Sequence, residues 1–163
     1  MTSHVPAGCN TVNTYLIVPS AREAIDYYVK VFGAKEGWTL PSPTGSICHA
    51  EVVIGCSTVM LAEADESMGF KSPEQLGGSP VSMCVYFEDA DSVFKKAVEE
   101  GATVACEMMD AFWGDRFGKI VDPFGHHWGI ATHKEDLTPE QLQKGAEEWF
   151  AEMAKQGGEC SSG

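Results

Sequence analysis

The chain has 163 residues, 44% hydrophobic and 21% charged, and its 24 acidic against 11 basic side chains give a formal net charge of −13. That length suits one compact domain or two small fused modules, and the apolar share can bury a core, which excludes wholesale disorder. So acidic a surface repels phosphate backbones and anionic lipid, and no apolar run approaches the ~20 residues of a membrane helix, so neither nucleic acid nor membrane is expected as a partner.

Residues 1–10 form an N-terminal extension with no basic stretch ahead of an apolar one, so no secretory leader is expected and the location is read as cytoplasmic. Cys9, Cys48, Cys56, Cys84, Cys106 and Cys160 show neither a C-x-x-C pair nor zinc-type spacing with histidine. Reduced thiols are the expectation, with Cys84 as a small core residue.

Residues 11–18 read as a strand, followed by a helix that opens on a capping box, Ser20 with Glu23. Ile25, Tyr28, Val29 and Phe32 share one face of that helix, and Gly33 stops it. Turn residues at 41–43 lead to strands at 46–54 and 58–62, joined by Gly55-Cys56. Residues 65–80 are polar and rich in Gly, Ser and Pro, which predicts a linker. A strand at 81–87 then precedes a helix from Asp89 to Gly101 with the stripe Val93, Phe94, Ala97 and Val98. Strands follow at 103–107, 112–121 and 126–132. A last helix starts on Thr138, Pro139 and Gln141, with Leu137 and Leu142 at the staple positions. Its stripe of Leu142, Ala146, Trp149, Phe150 and Met153 must pack on the body or on a second subunit.

The order repeats. Gly33 and Gly101 lie 68 residues apart, and Gly55 and Gly125 lie 70 apart. The chain therefore divides into the extension 1–10, a βαβββ module at 11–64, a linker at 65–80, a second βαβββ module at 81–133, an amphipathic helix at 134–156 and a tail at 157–163. Each module is too small to hide an apolar sheet face alone, so the two must share a core or exchange with a partner.

With this duplicated plan go Tyr15-Leu16-Ile17-Val18 before a helix containing Tyr27-Tyr28, and Asp122-Pro123-Phe124-Gly125 before the last strand. Together they resemble the vicinal-oxygen-chelate superfamily, which includes glyoxalase I, bleomycin-resistance proteins and extradiol dioxygenases. His49-Ala50-Glu51, Trp113-Gly114-Asp115-Arg116 and the run from Asp122 to His133 resemble its PhnB-like, glyoxalase-like branch. The likeness covers residues 11 to 133. It implies an α+β fold of two βαβββ modules forming a curved mixed-sheet trough, commonly completed in a dimer. In the superfamily's metalloenzymes four strand side chains hold a divalent metal, and by position those places are here Asn13, Leu61, Ser82 and Gly129. Leucine and glycine offer no side-chain donor, so the usual metal site is read as lost.

Other chemistry is weighed residue by residue. His49 and Glu51 alternate on one strand and share a face, where they could act as acid and base, hold a relocated metal, or form a structural pair. Trp113 and Asp115 share one strand face, and Gly114 and Arg116 the other. Trp113 could lie on a ring and Arg116 could fork onto an anion, or the cluster could lock a bend. His127 shares its face with Gly129 and Ala131 and is read as lining a cavity, His126 as solvent or interface, and His133 as a loop residue. Asp122-Pro123-Phe124-Gly125 is a tight turn. Nucleophile-elbow, phosphate-loop and dinucleotide fingerprints do not occur.

The function expected is a glyoxalase-like small-molecule-binding protein, homodimeric and without a cofactor. Its ligand would meet Asn13, Tyr15, Ser82, Tyr86, Trp113, Arg116, His127 and Gly129, with His49 and Glu51 as the catalytic candidates if a reaction occurs. The glycine at 129 is expected to open space for a bulkier guest. The alternative is a lyase or isomerase acting on a small oxygenated metabolite through a divalent metal near His49 and Glu51. A third reading is a dimeric scaffold that recruits a partner.

Overall fold

A computed structural model describes residues 3–155. The first module runs β1 (Thr14–Val18), α1 (Ala21–Phe32), β2 (Lys35–Pro41), β3 (Ile47–Ile54) and β4 (Ser57–Glu63). After a 3-10 turn (Glu66–Met68) and a short helix α2 (Pro73–Leu76), the second runs β5 (Ser82–Tyr86), α3 (Ala90–Glu99), β6 (Thr103–Asp110), β7 (Asp115–Val121) and β8 (His127–His133). Helix α4 (Pro139–Lys155) follows. The sheets have strand orders β1-β4-β3-β2 and β5-β8-β7-β6, so both modules share one topology. In each, the first strand pairs parallel with the last and the remaining pairs are antiparallel.

The helix starts follow from their caps. Ser20 accepts from the Glu23 amide, Gly33 takes the left-handed conformation at the end of α1, and Asp89 accepts from the Ser92 amide. At α4, the Thr138 amide donates to Gln141 Oε1 and the Gln141 amide donates to Thr138 Oγ1, a closed box. Strand β2 has no alternating apolar pattern and does not stand out in the sequence. The stretch 65–80 is folded rather than a bare spacer: Asp65 bridges to Phe70, and Ser72 and Pro73 are buried.

One continuous core joins the modules within a single chain. Helix α1 buries Ile25, Tyr28, Val31 and Phe32 on its own sheet and extends its aromatic rings into the second module. Tyr28 stacks on Phe32 (centroids 5.8 Å apart) and meets Trp128 of β8 at 5.5 Å, while Phe32 lies 6.0 Å from Phe87. At the centre is Asp122, 4% exposed. It accepts hydrogen bonds from the Tyr28 hydroxyl (2.7 Å), Trp128 Nε1 (2.8 Å) and the amides of Phe124 and His126 (both 2.9 Å). The Asp-Pro-Phe-Gly turn is therefore also the clamp between modules. Such a carboxylate is tolerable only because every lone pair is engaged. His126 lies at the same joint, where Nε2 donates to the Ile17 carbonyl (3.1 Å).

Opposite the helices, each sheet leaves a face uncovered, and no ladder joins β1 to β5 among the described residues. Tyr15, Trp38, Leu40 and Tyr86 are exposed in consequence. Cys84 is exposed too, on the uncovered side rather than in the core expected for it. Helix α4 docks lightly: Trp149 reaches Phe112 at 5.9 Å, none of its residues is buried, and Phe150 is exposed. Cys160 and the tail 157–163 lie outside the described residues.

Candidate functional site

The alternation of strand side chains decides which residues reach the uncovered faces. On the first sheet, Leu16, Ala50, Val52 and Leu61 point to α1 and are buried. Their neighbours Tyr15, His49, Glu51 and Met60 point the other way, Tyr15 and Glu51 each standing opposite Met60 in the ladder. A hydrogen bond of 2.9 Å joins the Tyr15 hydroxyl to His49 Nδ1, and His49 Nε2 lies 3.5 Å from Glu51 Oε1. A carboxylate at Nε2 favours the tautomer with its proton there, which leaves Nδ1 to accept from the phenol. The Trp38 ring lies 5.5 Å from the imidazole and the Tyr15 ring 5.6 Å. Partial burial holds the Tyr15 hydroxyl above its ordinary pKa, so it stays a donor. This is a three-residue polar chain set in aromatic surroundings, able to hold a ligand oxygen and to pass a proton. Trp38 escaped the sequence reading because β2 did.

On the second sheet the uncovered face centres on Asp115, 4% exposed. Its Oδ2 accepts from Trp113 Nε1 (3.0 Å) and the Tyr86 hydroxyl (3.2 Å), and its Oδ1 lies 2.7 Å from His133 Nδ1. His133 is the last residue of β8 rather than a loop residue, and its Nε2 faces Asp136 at 3.1 Å. With carboxylates at both ring nitrogens the imidazolium is favoured, and the His133 pKa is raised, first by Asp115 and then by Asp136. Trp113 lies in the turn before β7 rather than on the strand expected over 112–121, and it meets Asp115 through its indole N–H, not through strand alternation. Gly114 between them has φ 93°, and a Cβ there would overlap the Glu135 carbonyl oxygen. That oxygen belongs to the segment leaving for α4, so the glycine permits the close approach. The sequence does show Asp115, but its pairing with His133 depends on the β7–β8 register.

The expected ligand-binding residues do not gather in one cavity. Tyr15 with His49 and Glu51 lies on the first face, and Tyr86 with Trp113 on the second. Ser82 and His127, directly paired on β5 and β8, share the second face towards its other end. Arg116 points to the helix side, where Nε and Nη2 fork onto Asp91 at 2.8–3.3 Å and Nη1 meets Asp110 at 3.5 Å. Asn13 spends its amide on the backbone of Asn10, accepting at 2.9 Å and donating at 2.6 Å. Gly129 does not open space. The Phe117 ring fills it, with Cε2 only 2.8 Å from where a Cβ would stand.

The four metal positions implied by the resemblance do not fit a dication. Leu61 turns to the helix and is fully buried, so the uncovered side at that point carries the thioether of Met60. Asn13 is committed locally, Ser82 is a lone hydroxyl and Gly129 lies under Phe117. Among the described residues no three His, Cys, Asp or Glu side chains come together as a ligand set. His49 and Glu51 alone give two donors, short of the usual count.

Clefts of about 310 Å³ and 360 Å³ lie between the modules, bounded by β1 and β5, and Tyr15 lines the first while Cys84 and Tyr86 line the second. No helix among the described residues is long and apolar enough to cross a membrane.

Tandem βαβββ modules with paired uncovered sheets define a protein of the vicinal-oxygen-chelate type. The chain belongs to the Glyoxalase/Bleomycin resistance protein/Dioxygenase superfamily, whose family model matches residues 9–130. It is 40% identical over 135 residues to the uncharacterized protein Rv0887c of Mycobacterium tuberculosis, covering 81% of this chain and 79% of that one. Among solved structures it is similar to TioX from Micromonospora sp. ML1 (25% identity, TM-score 0.59, covering 79% of this chain and 100% of that one). The PhnB protein from Bacillus cereus shares the fold (16% identity, TM-score 0.58, covering 76% and 99%).

Proposed function

We propose that the protein binds a small organic molecule on the uncovered face of the first sheet, without a divalent metal. The observation that carries this is the Tyr15–His49–Glu51 chain, with its 2.9 Å phenol–imidazole hydrogen bond flanked by Trp38. A few convergent polar groups among aromatic and apolar side chains are what ligand sites consist of. Exposed Tyr15, Trp38 and Leu40 on one face also call for a cover, because monomers rarely leave such patches bare. A homodimer, with a second copy over the ligand, is part of this reading, and a cytoplasmic location goes with it. The same proton path supports a second reading, a lyase or isomerase in which His49 moves the proton and Tyr15 and Glu51 set its direction.

The test is a thermal-shift screen of oxygenated metabolites, with and without EDTA, followed by metal analysis of protein purified without chelator. A ligand at a hundred times its Kd stabilises by about 2.7 kcal/mol. A hit indifferent to EDTA and lost in His49→Ala supports metal-free binding. A stoichiometric ion lost in His49→Ala or Glu51→Gln overturns it in favour of the metal-dependent enzyme.

A further inference from the structure

We propose that His133 is a protonation-controlled latch for the C-terminal arm, which consists of the segment Asp136–Thr138 and helix α4 beyond it. The imidazolium ties Asp136 to the end of the second sheet, and loss of one proton lets the arm lift. The proposal concerns the arm alone and does not rest on the reading of the Tyr15–His49–Glu51 chain.

The first support is how little else holds the arm. At its root the Lys134 and Glu135 amides both donate to the Gly114 carbonyl, at 2.9 and 3.0 Å. Gly114 lacks the Cβ that would block this approach, and Leu137 passes 3.4 Å from where that atom would stand. Next comes Asp136, whose one side-chain bond among the described residues is to His133 Nε2, at 3.1 Å. Further on, α4 rests on Phe112. A Cβ on Gly145 would lie 3.2 Å from that residue, and the Trp149 ring is 5.9 Å from its ring. No residue of α4 is buried. An element with so few buried contacts opens locally at small cost. The root is a backbone hinge, and the latch lies just beyond it.

The second support is the inequality of the two bonds that His133 makes. Asp115 is 4% exposed and meets Nδ1 at 2.7 Å, while the Asp136 side chain is wholly exposed. An imidazolium donates from both nitrogens, a neutral imidazole from one. The proton kept is the inner one, because a lone pair turned to the buried carboxylate would cost more than one turned to water. Nε2 therefore gives its proton to solvent, and its lone pair then faces the Asp136 carboxylate. Attraction becomes repulsion at the arm's side-chain tie.

The surrounding groups do not replace the lost donor. The Tyr86 hydroxyl from β5 and the Trp113 indole from the turn before β7 both donate to Asp115 Oδ2. Arg116 forks onto Asp91 of α3, and Lys134 acts on the same carboxylate. No charged side chain of α4 pairs with the imidazole among the described residues. Between its two carboxylates the His133 pKa is raised, first by Asp115 and then by Asp136. The latch is therefore closed below the ordinary 6.5 and opens as pH rises through the raised native value. So exposed a pair is weak, and the arm shifts its population rather than detaching.

The test is amide hydrogen exchange in α4 of the whole chain, corrected for the intrinsic pH dependence of exchange, with α1 as reference. At every pH α4 is expected to exchange well ahead of α1, because it opens on its own. From about pH 5.5 upward, α4 protection should fall about two- to fivefold through the native pKa of His133. Asp136→Asn, at an exposed position where folding is not at risk, should erase that step, since its amide can turn to donate to the neutral ring. His133→Gln should hold α4 at the high-pH level throughout. A flat α4 profile in the natural chain overturns the proposal, as does a step that survives in Asp136→Asn. So do equal protection of α4 and α1, and low-pH protection retained in His133→Gln. If His133→Gln unfolds the chain, the Asp136→Asn comparison decides alone.

Discussion

The two modules share a backbone plan and differ where it matters. Superposing the buried alternation Ala50-x-Val52 on Gly118-x-Ile120 places His49 against Phe117 and Glu51 against Lys119. The same match on the last strands, Leu61 on Ile130, places Met60 against Gly129. Bulk has moved between strands, a long Met60 beside an imidazole in one sheet and a glycine beneath a phenylalanine in the other. Charge has changed sign, from Glu51 to Lys119. The turns differ as well: Gly55-Cys56 is short and exposed, while Asp122-Pro123-Phe124-Gly125 carries the buried carboxylate that holds the modules together. Duplication supplies two equal supports, and the side chains that were not kept alike supply the joint and two faces of opposite character.

The largest expected effect tests the joint. Asp122→Ala leaves the Tyr28 hydroxyl, Trp128 Nε1 and two amides without their acceptor inside the core, and should cost about 3–4 kcal/mol in urea unfolding. Its counterpart Gly55→Ala, at φ 59° with open space around it, should cost only about 1 kcal/mol. Equal losses would mean that Asp122 makes an ordinary turn and the modules are held by apolar contact alone.

How much of this was legible follows from what is local. Caps at Ser20, Asp89 and Thr138 and the stops at Gly33 and Gly101 depend on neighbours within six residues, so the helices and the repeat could be read directly. Strand β2 could not, because Lys35–Pro41 is mostly exposed and carries no alternation. The resemblance led to Leu61 as a site position, but a strand's face flips with each residue, and the structure turns Leu61 inward and Met60 outward. Arg116 looked like an anion fork, and it is one, for Asp91 across the helix side. Long-range partners decided the rest: nothing near Asp115 in sequence announces Tyr86 or His133, and nothing near Asp122 announces Tyr28.

The next contrast is bulk. Gly129→Ala must displace the Phe117 ring, which is half-buried and can turn, so about 1–2 kcal/mol is expected in chemical denaturation. Met60→Ala on the first face removes a side chain that is only partly covered and should cost less than about 2 kcal/mol, with no ring to displace. Tyr15→Phe should cost still less, about 1 kcal/mol or below, since only the hydrogen bond to His49 is removed. If Gly129→Ala were neutral, the Phe117 ring would have no fixed position over Gly129 and the floor of the second face would be loose.

The smallest effect is a pH dependence that only the second sheet should show through His133. Asp115 first, and Asp136 second, raise its folded pKa above the ordinary 6.5. A histidine raised on folding binds its proton more tightly in the native state, so its stabilisation is complete below 6.5 and disappears as pH rises through the higher native value. The Tm advantage of the natural chain over His133→Gln should therefore be full at about pH 5.5 and fall away as pH rises through the raised native value. Asp136→Asn should lower the pH at which the advantage fades, because one of the two carboxylates holding the proton is removed. An advantage that grows with pH would mean that His133 is held neutral against Asp115.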